Sequence, residues 1–572
     1  MARTAALPLL VATASVLGAA CSSHASDSEW ACPPGPGASA AAEQQIQSKR
    51  GTMGTAATAM VATSHALSTQ MGLGVLSRGG NAVDAYIAAV LTDDLVLPGV
   101  TSTAGLTGFL VYVAATKSVY YVQGPLKVPG IAASGSSAGA QVMIPGELAA
   151  LALASQSYGQ LPWGDVVAPV AELAAQGFAI DQLYAASIAV NAPLLSQSAY
   201  GQKTFFVNGQ PLAEGATLAQ PDVAATLSEL ASGGAAAFYQ GTWASQFVAA
   251  VTGAGGTASL ADLAGYQALL EDPIIYQHDD ATLFTSSGYS NGGARLLLAL
   301  QTLDDASSVA LGPYDQSPAA LELLLHVHAA ESTQESWLED PTALSNPVTA
   351  NADIVSGAQA MWSMIQAGTV PPATPAVGTH SSAVVVVDAA GNIVAGTHTI
   401  ETTNWGLGLF AGGLPLSTSA SLHPGIAPGS FAMDPLSSEI AFVGGQPSLA
   451  MSTYGSGLHP GDVQVLGNIL DVGLDAEDAV LEPRLGYYAV TTRNGVDTVD
   501  LTTHMLDERV PGDVVCPVRA AGFGLLQSEP PPILPGFIDT GFPTVITLTP
   551  SAGPTHLQGM TPEWMNGVAA GY

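Results

Sequence analysis

The hydroxyl groups around residues 378–401 are where this chain carries residue types suited to acyl chemistry. A Gly/Pro/Thr-rich stretch, GTVPPATPAVGTH (368–380), runs into Ser381 and Ser382 and then into AVVVVD (383–388). The stretch predicts an exposed, irregular loop. The Val run predicts a stiff strand, and Asp388-Ala389-Ala390-Gly391-Asn392 the turn of a hairpin. Its second strand carries Thr397, Thr399 and Glu401, alternate residues that share one face and can line one pocket. A Ser or Thr hydroxyl is a poor nucleophile at neutral pH and attacks a carbonyl only with a base beside it. On residue types alone, Thr379, Ser381 and Ser382 read as a cluster capping a loop.

The elements that must position these groups begin upstream. Residues 60–87, MVATSHALSTQMGLGVLSRGGNAVDAYI, predict a strand, a polar turn and a helix with Leu67, Met71 and Val75 on one face. That helix ends at Gly79-Gly80, where positive φ and close approach are permitted. Asn81 and Asp84 open a second helix. Residues 109–124 predict a hairpin, residues 144–178 two helices joined at Pro162, and residues 462–481 one helical stretch. From about 55 to 360 short apolar strands alternate with Ala/Leu-rich helices, and no internal repeat stands out. His326 and His328 lie on a predicted helix with a spacing that puts them on different faces, and no Cys/His spacing suggests zinc.

The run MVATSHALS…GGNAVDA closely resembles the N-terminal signature of the γ-glutamyltranspeptidase family. PGELAALALASQSYGQLPWGDVVAPVAELAAQGF (145–178) and FYQGTWASQFVAAVTGAGGTASLADLAGYQALLEDP (238–273) resemble two further family segments, and the likeness extends over about 55–490. It implies the four-layer αββα sandwich of the N-terminal-nucleophile hydrolases. In such proteins one precursor cuts itself before a hydroxyl residue, whose freed α-amine, with a pKa of about 7.7–8.0, serves as base. The family writes its junction TTHxSVVDxxGN, and this chain reads GTHSSAVVVVDAAGN. Counting back from Asp388 without a gap puts Ser381 at the nucleophile position. Matching the Thr-His letters would choose Thr379 and would need a two-residue insertion, which forces a bulge in the strand.

By the same resemblance Thr399 hydrogen-bonds the nucleophile region and Glu401 contacts the polar head of the substrate. Ser437 and Ser438, in PLSS (435–438), are candidates for binding a substrate carboxylate, and a turn cap is the alternative. Tyr454 and Gly455 fall where the family's glycine pair forms an oxyanion hole, with Tyr454 replacing the first glycine. Two departures are larger. Gln123-Gly124-Pro125-Leu126-Lys127 has Pro where the family's carboxylate-clamping Arg stands, and Lys127, two residues on, points elsewhere. Residues 416–422 (LSTSASL) lack the acid that holds the substrate's α-amino group. Such contacts, when desolvated, are worth about 2–5 kcal/mol each, so recognition of glutathione is expected to be weak.

At 572 residues with 48% hydrophobic residues the chain can bury a large core. The formal net charge of −33 arises from 12 Lys+Arg against 45 Asp+Glu, a field that repels nucleic acid and anionic lipid. Arg3, the apolar run Ala5–Ala20 and the polar segment after Cys21 fit a secretory signal, too short for a spanning helix. Gly18-Ala19-Ala20-Cys21 resembles a lipoprotein cleavage site, with Leu17 one position early, so Cys21 is a candidate lipid anchor. Of three cysteines, Cys32 and Cys516 can pair in an oxidising compartment or stay free thiols.

The expectation is therefore a secreted, mixed α/β protein with a signal at 1–25, a flexible leader at 26–50, a large-subunit portion at 51–380 and a small-subunit portion at 381–572. It is expected to be an exported, self-cleaved amide hydrolase or acyltransferase of small-molecule amide or γ-glutamyl-type substrates, located in the periplasm, outside the cell or on the bacterial envelope. It needs no cofactor, metal or nucleic acid. The alternative is a catalytically inactive envelope protein that retains the fold.

Overall fold

The computed structural model describes residues 53–97, 99–131, 133, 135–371, 381–401, 405–455, 457–493, 496–528, 541–549, 556–561 and 567–572. The elements that carry the site are β1 (Met60–Thr63), β2 (Leu106–Val113), β3 (Ser382–Val387), β4 (Ile393–Thr399), β5 (Ser438–Val443) and β6 (Gln446–Tyr454). With them go the helices α1 (Ala66–Ser77), α2 (Ala82–Val96), α3 (Glu147–Tyr158) and α4 (Leu458–Leu470).

Two seven-stranded antiparallel sheets lie face to face. The first runs Val568–Gly571, β1, β3, β4, β2, Ser118–Gly124 and Leu269–Glu271. The second runs Gly54–Ala56, His556–Met560, Phe542–Thr549, β6, β5, Ala281–Thr285 and Ile274–His278. Ala62, Leu110, Val385, Val387, Ile440, Ala450 and Ile546 fill the space between them. α1, α2 and α3 cover the outer face of the first sheet. α4 joins Gly292–Asp305, Pro318–Glu331 and Pro347–Ala367 on the outer face of the second. This is the four-layer αββα sandwich.

The local sequence explains these elements. Gly79 adopts φ +90° at the turn after α1. Asn81 then caps α2 by accepting the Val83 and Asp84 N–H groups, while Asp84 accepts the Asn81 N–H. All of α2 is buried, as its nearly unbroken apolar sequence requires. Asp388 in the β3–β4 turn accepts the N–H groups of Ala82, Ala390 and Asn392, which ties the hairpin to the start of α2.

β3 is buried on both faces, the setting that favours a continuous Val run. Val384 and Val386 face the helices, whereas Val385 and Val387 face the second sheet. Burying each of these valines contributes about 1.5–3 kcal/mol. A one-residue slip would exchange the two sets, so the valines also fix which way Ser381 and Ser382 point.

The predicted hairpin over 109–124 is present as β2 with Ser118–Gly124, and the helices predicted in 144–178 are α3 and Trp163–Gln176, the second capped at Pro162. The predicted single stretch over 462–481 is two helices, α4 and Ala476–Leu481. Gly473, at φ +81°, breaks the chain, and Asp475 caps the second piece. Cys516, in helix Gly512–Ala520, is disulfide-bonded to a partner outside the described residues. The segments assigned to a signal and a leader also lie outside them.

Candidate active site

Ser381 immediately precedes β3, is fully buried, and its Oγ has no hydrogen-bond partner among the described residues. The β3–β4 ladder pairs Ser382 with His398 and Ala383 with Thr397, so one further step sets Ser381 opposite Thr399. By the strand's period of two, Ser381 shares the inter-sheet face with Val385 and Val387. Thr397 and Thr399 lie on the same side of β4. Thr397 Oγ1 reaches across to Ser452 Oγ of β6 at 2.5 Å, and Thr399 Oγ1 accepts the Glu401 N–H at 2.8 Å. Thr379 lies outside the described residues.

Ser382 turns to the opposite face, towards α2. Its Oγ donates to Asp93 Oδ2 at 2.6 Å and lies 2.9 Å from Ser64 Oγ. Asp93 Oδ1 accepts from Ser68, and Oδ2 also stands 3.3 Å from His398 Nε2. Each of these groups is buried. A buried carboxylate shared among several donors is held in one geometry, because losing any donor leaves a polar atom unsatisfied.

Glu401 follows β4 with φ +63°, a left-handed conformation that costs a residue with a Cβ about 1–2 kcal/mol. The bend carries its carboxylate to His423, whose Nε2 lies 2.9 Å away. Burial disfavours the imidazolium, but the Glu401 carboxylate outweighs that, and His423 titrates above the usual histidine range. Asp434 lies near both. Burial pushes its carboxyl up to about 7 against the stabilising Leu436 N–H, with the charge of Glu401 adding to the rise and His423 opposing it. The 416–422 stretch contributes no acid, as its sequence predicts, yet Asp434 brings one to the same neighbourhood from farther along the chain. Strained backbone of this kind clusters at functional positions.

Ser437 and Ser438 are buried and already engaged. Ser437 Oγ donates to Glu439, while Ser438 Oγ lies 3.0 Å from Ser452 Oγ. Glu439 and Asp462 of α4 form a second buried acid pair: burial raises both, Asp462 to about 7, and the charge of Asp462 lifts Glu439 further. Tyr454 ends β6 with its ring fully buried, 5.3 Å centroid to centroid from Phe542. Gly455 follows at φ +94°, which glycine adopts freely.

The carbonyl of Pro125, the residue at the motif position where the resemblance places an Arg, accepts the Tyr266 hydroxyl. Lys127 Nζ sits over the Phe431 ring at 5.3 Å and, as its spacing predicts, is not turned towards Glu401. Among the described residues, the ion-pair partner of Glu401 is therefore His423 alone.

The structure thus brings Ser381 and Thr399 together on one face, puts Glu401 at its end, and commits Ser437 and Ser438 to contacts between and within the sheets. Sequence reading missed Asp93, His398, His423 and Asp434. For Asp93 one signal existed: Asp93 and Asp94 stand together near the end of a mostly apolar helix.

Comparison with known proteins agrees with this architecture. The family model described as Gamma-glutamyltranspeptidase matches residues 68–515. The glutathione hydrolase proenzyme of Bacillus subtilis (strain 168) is 26% identical over 81% of this chain and 84% of its own length. The acylase ACY 1 proenzyme of Pseudomonas sp. (strain V22) is 26% identical over 83% of this chain and 88% of its own. The crystal structure of cephalosporin acylase from Bacillus halodurans superposes with a TM-score of 0.77 at 19% identity, covering 94% of this chain and 98% of that one. Among the described residues, no helix is long and apolar enough to cross a membrane.

Proposed function

This chain belongs to the gamma-glutamyltranspeptidase family, and from that premise we propose that it is an exported, self-cleaving amide hydrolase or acyltransferase with Ser381 as its nucleophile. Cleavage between His380 and Ser381 would divide it into a large portion, 51–380, and a small portion, 381–572. The observation that carries the reading is the Ser381 hydroxyl: buried, without a partner among the described residues, at the head of a rigid strand and opposite Thr399 in the ladder's register.

In the proposed reaction the freed α-amine of Ser381 takes the Oγ proton while Oγ attacks the amide carbonyl of the donor. The proton passes to the leaving nitrogen as the C–N bond breaks, leaving an acyl ester on Ser381. Water or an amine then attacks the ester, and Oγ recovers its proton. Thr399 orients the nucleophile, and N–H groups around Tyr454 and Gly455 face the developing oxyanion. An amine with a pKa near 8 is matched to this transfer.

The donor head is proposed to be cationic or neutral rather than the zwitterion of a γ-glutamyl group. Pro125 offers no clamp for a carboxylate, Lys127 is stacked on Phe431, and among the described residues the Glu401 carboxylate pairs with His423, with the Asp434 carboxyl near both. That a relative of similar identity is named an acylase supports this reading. Export is supported by the apolar run before Cys21 and by the disulfide at Cys516, a bond typical of oxidising compartments. Lipid attachment at Cys21 remains part of the proposal.

A denaturing gel of purified protein, followed by N-terminal sequencing of the smaller band, tests the reading. Two bands, the smaller beginning at Ser381, are expected. A single uncut chain would instead support the inactive envelope protein, and a start at Thr379 would move the nucleophile.

A further inference from the structure

Behind Ser382, on the helix side of the first sheet, three elements bring four buried ionisable side chains together. They are Asp93 and Asp94 of α2, Glu147 of α3 and His398 of β4. Their outward atoms are satisfied. Asp93 accepts from Ser68 and Ser382 and faces His398 Nε2, and Asp94 Oδ2 accepts the Thr103 hydroxyl at 2.8 Å. Their inward atoms are not. Among the described residues, His398 Nδ1, Asp94 Oδ1 and both carboxylate oxygens of Glu147 have no partner at hydrogen-bond distance. His398 Nδ1 lies 3.5 Å from Asp94 Oδ1 and 3.5 Å from Glu147 Oε2. One ligand atom from each of the three residues falls within 4.8 Å of the others.

We propose that Asp94, Glu147 and His398 bind a divalent first-row transition ion, zinc foremost, which fastens α2, α3 and β4 to one another behind Ser382. Tetrahedral bonds of about 2.0–2.1 Å hold neighbouring ligand atoms about 3.4 Å apart, the separation found around His398 Nδ1. Glu147, with both oxygens unpartnered among the described residues, supplies the third ligand, and a water would take the fourth position. Asp93 accepts the Nε2 proton of His398 and leaves the Nδ1 lone pair for the ion, the carboxylate–histidine–metal arrangement that orients such ligands. One imidazole with carboxylates suits a transition ion, whereas calcium takes six to eight oxygens. Three carboxylates out of water face the single imidazole of His398, with no Lys or Arg among their described ion-pair partners, and a divalent ion would balance the charge that one imidazole leaves over. The ion lies on the face opposite Ser381, so it braces the fold and touches no acyl donor.

The test uses the full chain carrying an affinity tag free of histidine. Protein supplied with Zn²⁺ or Co²⁺ and then gel-filtered is analysed for metal. About one equivalent per chain is expected, with a melting temperature that chelation lowers and Zn²⁺ restores. The Co²⁺ form is expected to show the visible absorption of a four-coordinate site. Glu147→Gln preserves volume and is expected to retain less than about a tenth of an equivalent. His398→Gln is expected to behave likewise. Wild-type protein that holds neither ion and shows no Zn²⁺-dependent melting shift overturns the proposal, as does Glu147→Gln retaining a full equivalent.

Discussion

Asp93 and Ser382, 289 residues apart in sequence, meet at 2.6 Å in the buried layer beneath the first sheet. The same carboxylate receives Ser68 and faces His398. Ser382 is therefore bound to α2 through its side chain and to β1 and β4 through its strand. Its neighbour Ser381 inherits that rigidity, with its own hydroxyl unpartnered among the described residues. Preorganised groups at 381 and 399 are what acyl transfer requires, since small misplacements of reacting atoms cost large factors in rate.

Asp93→Ala removes the acceptor shared by Ser68, Ser382 and His398, hydrogen bonds of a kind that contribute about 1.5–3 kcal/mol each. Denaturant unfolding is expected to register a loss of about 3 kcal/mol or more. A variant within about 0.5 kcal/mol of wild type would show that this carboxylate anchors nothing.

Ser381→Ala is expected to remain a single chain without amidase activity, whereas Ser381→Thr, which keeps the hydroxyl, is still cut. Thr399→Ala should slow both cutting and turnover by about a hundredfold, through lost alignment of the opposite residue. Time courses on denaturing gels read both. Normal cutting of Ser381→Ala would assign the nucleophile elsewhere.

Donor preference is checked with three p-nitroanilides. The 4-aminobutyryl compound is a γ-glutamyl group without its carboxylate, and the glutaryl compound is one without its amine. The 4-aminobutyryl donor is expected to exceed the γ-glutamyl donor in kcat/KM by about 30-fold or more, the equivalent of one unmatched carboxylate at about 2 kcal/mol. The glutaryl donor is expected to be poorest. An order led by γ-glutamyl would mean that another group performs the clamp's role.

Asp434 sets a pH dependence of stability. Its carboxyl is raised from 3.8 to about 7 on folding, so the folded state holds a proton that the unfolded chain has already released between those values. The resulting stabilisation is complete below about pH 4 and is lost as pH rises through about 7. Asp434→Asn should therefore gain on wild type across that interval, by a total on the order of 4 kcal/mol. Parallel pH–stability curves for the two proteins would place the titration in some other group.

Much of this architecture can be read from the chain, because the readable parts are local. The Val run of β3, the Asn81 cap, the glycine turn at 79 and the hairpin turn at 388–392 each state their conformation within a few residues. The buried ligand cluster is illegible for the opposite reason. Residues 94, 147 and 398 come from three elements, so no spacing announces them, and the absence of a zinc-like Cys/His pattern carried no information about them. Asp434 and His423 sit in the irregular chain between β4 and β5, where no periodicity constrains position. The break between α4 and Ala476–Leu481 was hidden because apolar residues continue across it.

Each sheet combines strands from both sides of residue 381. β3 lies between β1 and β4, and Val568–Gly571 flanks β1 from the other side. In the second sheet Gly54–Ala56 caps one end and Ala281–Thr285 with Ile274–His278 the other. Scission at the 380–381 bond would consequently yield two polypeptides with a single shared interior. Neither would own a complete sheet, so separate expression of the halves should give insoluble material, and dissociation of the mature pair would be indistinguishable from denaturation.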